Sequence, residues 1–179
     1  MKKIIAFVGS ARKEGYCSKT VAGIKKGAEE AGAEVVVYNL SESNIRPCQG
    51  CMYCRQGKGC AVTDDDMGRI YKDYAEADGV VFASPLYFGM VSGQSMVLIN
   101  RLYASVPPKE TKKAVAVFAH AAPGETTYKG YIDTFIPVLA SVGLDVQDTI
   151  VCAGTSAMDD TAEAALFEKA VEAGKKLAE

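Results

Sequence analysis

Short apolar runs and helical apolar stripes take turns along the chain. Lys3–Gly9 is an apolar run closing on glycine, which predicts a buried strand. Over Ser18–Ala31 the apolar positions Val21, Ile24 and Ala28 recur at helical spacing and stop at Gly32. Glu34–Asn39 holds Val35, Val36 and Val37 and predicts a second strand. Asp65–Ala75 opens on acids, which suit a helix N-terminus. Gly79–Ser84 predicts a third strand, Ser92–Ala104 a helix closed by Pro107-Pro108, and Ala114–Ala119 a fourth strand. Thr126–Val142 predicts a helix that Pro137 should kink or divide. Leu144–Ala153 predicts the fifth strand and Thr161–Lys176 the last helix.

Strands alternating with helices imply an α/β fold, a parallel sheet covered on both faces with right-handed crossovers. Five strands point to a doubly wound, flavodoxin-like sheet of order 2-1-3-4-5, in which ligands bind at the carboxyl ends of the strands. The loops to inspect therefore follow Val8, Ala83 and Ala119. Residues 1–179 are expected to form one domain, with a cysteine-rich loop at 48–60.

Composition narrows the choice of partner. Hydrophobic residues make up 49% of the chain and the formal net charge is −2, with no basic block. Nucleic acid and anionic membrane are not the expected partners. The apolar run Ile4 to Val8 behind Met1-Lys2-Lys3 is too short for a signal peptide, and no stretch is long enough to span a membrane. A cytoplasmic location is expected.

The loop Gly9-Ser10-Ala11-Arg12-Lys13-Glu14-Gly15-Tyr16-Cys17-Ser18-Lys19-Thr20 lies between the first strand and a helix start. Amides at such a start form an anion site. Ser10, Ser18 and Thr20 add hydroxyls, and Arg12 or Lys19 adds charge. The spacing is neither that of a P-loop nor of a dinucleotide fold. It suits a monophosphate; the plainer alternative is a polar turn with Ser18 as helix cap. After the third strand, Pro85-Leu86-Tyr87-Phe88-Gly89-Met90 offers flat side chains beside backbone amides, which suits an aromatic ring system; an apolar turn packed on the core is the alternative. His120, the one histidine, leaves the fourth strand at the same edge and is a candidate contact for the bound cofactor or substrate.

Cys48, Cys51, Cys54 and Cys60 crowd into C-Q-G-C-M-Y-C-R-Q-G-K-G-C. The compact spacing suits an iron–sulfur cluster. Zinc, whose structural loops usually join two separated ligand pairs, and reduced or disulfide-switching thiols are the alternatives. Arg55 and Lys58 favour thiolates or a negatively charged cluster. Asp64-Asp65-Asp66 reads as the start of the next helix rather than as a metal site. Cys152, in an apolar strand, reads as a small core residue.

Together the runs G-S-A-R-K-E-G, C-Q-G-C-M-Y-C-R-Q-G-K-G-C-A-V-T-D-D-D-M and S-P-L-Y-F-G-M resemble the flavodoxin-like NADPH-dependent FMN reductases, and among them the iron–sulfur flavoproteins of anaerobic microbes. The resemblance implies noncovalent FMN and electron transfer from NAD(P)H or a ferredoxin-like donor to an acceptor. It implies phosphate contacts at Ser10, Arg12 and Ser18, an isoalloxazine held by Pro85, Leu86, Tyr87, Phe88 and Gly89, and a 4Fe-4S cluster on Cys48, Cys51, Cys54 and Cys60. Tyr16, Lys19 and Thr20 complete the expected cofactor-binding set, and the flavin rather than a side chain carries the chemistry. A homodimer or higher homo-oligomer is expected. A cluster-free NAD(P)H-dependent FMN or quinone reductase is the alternative, and a thiol redox sensor a third reading.

Overall fold

The computed structural model describes residues 1–106 and 110–179. Among these residues, six strands and five α-helices follow in the order β1 (Lys3–Val8), α1 (Tyr16–Glu30), β2 (Glu34–Asn39), α2 (Met67–Glu76), β3 (Gly79–Tyr87), β4 (Met90–Val91), α3 (Gly93–Leu102), β5 (Lys112–Ala119), α4 (Lys129–Ser141), β6 (Leu144–Cys152) and α5 (Asp160–Leu177), with two short 3-10 turns. The 3-10 turns are Tyr53–Gln56 and Tyr103–Ser105. The expected closure of a helix at Pro107-Pro108 lies outside the described residues.

The sheet runs β2-β1-β3-β5-β6, all parallel, with β4 antiparallel to the end of β3. This is the order expected from the sequence once the two-residue β4 is counted. The pleat of the buried strands sends alternate residues to opposite faces. Ile5, Phe7, Val80, Phe82, Ala116 and Phe118 pack against α2, α3 and α4. Ile4, Ala6, Val8, Val81, Ala83, Val115 and Val117 pack against α1 and α5. Pro137 lies within α4 without dividing it.

Three departures from the expected elements bear on the site. Helix α1 starts at Tyr16 with Gly15 as its cap, so Ser18 falls inside the first turn and is not the cap. Strand β3 does not stop at Ser84: it continues through Pro85, Leu86 and Tyr87, because Pro85 still pairs with Ala119 of β5 while Leu86 and Tyr87 pair with β4. The expected ring-binding loop is thus a hairpin whose two-residue turn is Phe88-Gly89. Both residues have positive φ (51° and 76°), as a primed hairpin turn requires. Among the described residues, no helix is long and apolar enough to cross a membrane.

Candidate cofactor cleft and cysteine loop

The carboxyl ends of β1, β3, β5 and β6 open into a cleft of about 530 Å³. That lies within the range of small-molecule sites. Its walls come from four separate turns. Ser10, Arg12, Glu14, Gly15 and Tyr16 follow β1; Pro85, Leu86 and Tyr87 end β3; His120 and Ala121 follow β5; Thr155 and Ser156 follow β6.

The turn after β1 folds back on Arg12. The Gly15 amide and the Ser18 hydroxyl both donate to the Arg12 carbonyl, each at 3.1 Å, while the Arg12 amide donates to Ser10 Oγ at 3.1 Å. Helix α1 has no side-chain cap and no acid in its first turn. Its leading amides and the positive end of its dipole therefore suit an anion. The end of β1 is clamped to α3: Ser92 Oγ donates to the Gly9 carbonyl at 2.7 Å, and the Ser92 amide donates to Ser84 Oγ at 3.0 Å. A side chain at Gly9 would meet Ser95 Oγ at 1.9 Å and Ser92 Oγ at 2.9 Å, so it would displace the hydroxyls that join β1 to α3.

His120 is 4% exposed. Its amide donates to the Cys152 carbonyl at 2.9 Å, and its carbonyl accepts from Thr155, so the exits of β5 and β6 are tied together. The ring meets Tyr128 edge-on with centroids 4.9 Å apart. Nδ1 lies 2.9 Å from the Ala122 carbonyl, whereas Nε2 is buried and without a partner among the described residues.

The expected cofactor residues separate into two groups. Ser10, Arg12, Tyr16, Pro85, Leu86, Tyr87 and His120 share the cleft. Thr20 is buried against Cys152, with Oγ1 and Sγ 3.3 Å apart. Lys19 pairs with Glu163 on α5, which also accepts from Tyr16 Oη at 3.0 Å, and lines a second cleft between α1 and α5. Ser18 serves the turn itself, Phe88 projects fully into solvent from the hairpin tip, and Gly89 lies against Tyr128. Thr155 and Ser156 were not expected from the sequence, although extending the strand-exit rule to the fifth long strand would have found them.

The cysteine loop sits between β2 and α2. Cys48 and Cys51 are exposed and Cys54 and Cys60 half-buried, all as free thiols. The four line one small cavity of about 40 Å³, closed on its other side by Asn100, Arg101 and Tyr103. Positive φ at Gly50, Met52, Gly57 and Gly59 wraps the backbone round it, and the Gly50 amide points at Cys48 Sγ, 3.5 Å away. Among the described residues no three His, Cys, Asp or Glu side chains stand close enough together to hold a metal ion. The donor set of four thiols around one cavity nevertheless matches iron–sulfur chemistry.

What braces this loop is a buried ion pair. Arg101 and Asp65 have no exposed side-chain surface. One Arg101 nitrogen bonds Asp65 and also donates to the Arg46 carbonyl at 2.7 Å; the other donates to the Val62 carbonyl at 2.9 Å. Asp65 in turn accepts from the Arg46 amide at 3.0 Å and the Met67 amide at 3.1 Å. Burial works to raise the Asp65 pKa, but the bonds from Arg101 and the two amides outweigh it and hold the carboxyl below its ordinary range. Asp64 pairs with Arg46, and Asp66 accepts from the Asn44 amide at 2.6 Å. The helix expected over Asp65–Ala75 begins at Met67, so the aspartates lie just before it, with Asp66 at the cap position, and they anchor the chain entering the cysteine loop. Cys17 and Cys152 lie in the core, where burial pushes the Cys152 thiol up to about 11 and the Cys17 thiol higher still.

Comparison with known proteins adds one decisive observation: residues 2–157 match the NADPH-dependent FMN reductases. The chain belongs to that family. Over 99 residues this FMN reductase family member is 36% identical to an iron-sulfur flavoprotein of Methanocaldococcus jannaschii, covering 55% of this chain and 51% of that protein. Over 153 residues it is 31% identical to an iron-sulfur flavoprotein of Archaeoglobus fulgidus, covering 80% and 69%. The matches span about half the length of the Methanocaldococcus protein and of a similar one from Methanosarcina thermophila. The FMN reductase fold superposes on an NAD(P)H:quinone oxidoreductase from Methanothermobacter marburgensis with a TM-score of 0.77 at 18% identity, covering 100% of this chain and 98% of that one. An azoreductase from Bacillus anthracis gives a TM-score of 0.71 at 18% identity, with 98% and 100% covered.

Proposed function

We propose that the protein is a cytoplasmic FMN-dependent oxidoreductase that passes electrons between a small-molecule or ferredoxin-like donor and an acceptor, with a 4Fe-4S cluster on Cys48, Cys51, Cys54 and Cys60. The observation that carries the flavin reading is the single cleft in which the uncapped start of α1 meets the end of β3 and His120. Bound FMN supplies hydride and single-electron chemistry. The protein's own part is to bind and orient. The amides at the start of α1, with Ser10 and Arg12, hold the phosphate. Pro85, Leu86 and Tyr87 pack the ring, and the apolar ends of the strands exclude water beneath it. The four cysteines lining one cavity support the cluster. Arg101 and Asp65 hold the backbone on either side of that cavity. NAD(P)H as donor rests on the family.

Tyr87, Phe88, Met90 and Met96 are exposed around the hairpin. We place a second copy of the chain over them, forming a homodimer; light scattering of the FMN-loaded protein should give twice the chain mass.

The test of the cluster is iron and acid-labile sulfide per FMN in protein purified without oxygen. About four of each is expected. Negligible iron with FMN still bound would leave a cluster-free NAD(P)H-dependent FMN or quinone reductase. That alternative is favoured by the fold's likeness to the Methanothermobacter oxidoreductase, and it requires NADPH turnover undiminished in Cys48→Ser.

A further inference from the structure

We propose that His120 is the positioning residue for the flavin ring, its Nε2 accepting a hydrogen bond from the N3–H of the isoalloxazine. This rests on the FMN reading above and specifies which edge of the ring is held, and by which atom.

The tautomer follows from geometry. A backbone carbonyl only accepts, so the 2.9 Å contact with Ala122 puts the imidazole proton on Nδ1. In the neutral imidazole Nε2 is then a bare lone pair. It is buried and without a partner among the described residues, and Tyr128 packs edge-on against the ring. A buried acceptor left unmade is unfavourable, and such groups in native proteins generally await a partner. His120 lines the cleft, so a small turn of the ring would bring Nε2 to whatever fills that cleft, and that partner must present an N–H or O–H.

Position selects the ring over the phosphate tail. His120 follows β5, and Ser10 and Arg12 follow β1, with β3 between them. Two strand spacings separate the exits by about 10 Å. A phosphate at the start of α1 therefore leaves the ribityl chain to cross the end of β3 and the ring to reach β5. Oxidised isoalloxazine carries a single ring N–H, at N3; its other ring heteroatoms only accept. An imidazole locked as an acceptor matches that one position. The reversed tautomer, a donor, would suit the flanking carbonyl oxygens instead, and the Ala122 contact forbids it.

The chain has one histidine, so isotopic labelling of histidine nitrogen produces one pair of ring signals with no assignment problem. Titration with FMN labelled at N3 should move the Nε2 resonance and give a scalar coupling between Nε2 and N3 across the hydrogen bond. FMN bound with no such coupling overturns the inference and leaves the FMN reading standing; failure of the wild type to bind FMN overturns the reading itself. Affinities give a second readout. His120→Ala should weaken FMN binding about tenfold, whereas His120→Gln, which keeps an acceptor oxygen, should stay within about threefold. N3-methyl FMN should bind the wild type about tenfold more weakly than FMN and bind His120→Ala no worse than FMN does. Equal FMN affinity in wild type and both variants would refute the assignment.

Discussion

Phe88 combines two liabilities. Its side chain is fully exposed, and its backbone has φ of 51°, where a residue with a Cβ is strained. Asparagine tolerates that conformation far better. In the dilute monomer Phe88→Asn should therefore raise stability by about 0.5–1 kcal/mol, read from the urea midpoint, whereas in the proposed dimer the lost contact opposes the gain. A fall in FMN affinity alongside the gain would show that the exposed ring is kept for the cofactor. The cysteines divide as sharply. Cys48 and Cys51 are open to solvent, whereas Cys17 and Cys152 are core residues with thiols pushed up by burial. A maleimide applied to the native apoprotein should label Cys48 and Cys51 and spare Cys17 and Cys152, with mass spectrometry of peptides as the check.

Helices α1 and α5 lie backbone to backbone on one face of the sheet. A Cβ at Gly27 would fall 1.9 Å from the Val171 carbonyl, and one at Gly174 would fall 2.0 Å from that of Ile24. Neither obstacle is a movable side chain. Gly27→Ala or Gly174→Ala should destabilise the fold by about 1–3 kcal/mol or more, despite alanine's better helix propensity, and thermal unfolding will report it. No pattern in the sequence announces this, because the contact joins residues far apart in the chain. The elements themselves were legible: the apolar runs located the five long strands, and the segments between and after them were read as the five helices, the first from its apolar spacing and the second from its opening acids. The end of β3 was not, because proline and the aromatic pair read locally as a loop, whereas Pro85 keeps its register with Ala119 and the hairpin partner β4 is only two residues long. The turns forming the cleft were foreseen at three of four strand ends. The destinations of Lys19 and Thr20 were hidden because they depend on α5 and β6, which are packed against α1 only in the folded chain.

Across the molecule as a whole, the two faces of the sheet carry different duties. One face is built on the tight α1–α5 pair. The other, packed by α2, α3 and α4, also holds the Arg101–Asp65 pair that fixes the cysteine loop. Asp65→Asn leaves Arg101 buried without its countercharge and should reduce stability by about 3–5 kcal/mol at neutral pH. The native pKa of Asp65 lies below its unfolded value, so the stabilisation is complete above the ordinary carboxylate range and drains away as pH falls through the native pKa. Denaturation curves of wild type and Asp65→Asn should accordingly converge in acid and diverge towards neutrality.

Helix α3 is pinned at both ends. Ser92 ties its start to Gly9 beside the large cleft, and Arg101 ties its last turn to the cysteine cavity. Ten residues of helix make a rod of about 15 Å. The helix thus acts as a spacer between the two candidate sites, and its residue count enters their separation. A residue added in mid-helix would turn Arg101 by about 100° away from Asp65 and lengthen the gap by about 1.5 Å. The spacing between the two sites therefore depends on the length of one helix as well as on the loops that furnish them.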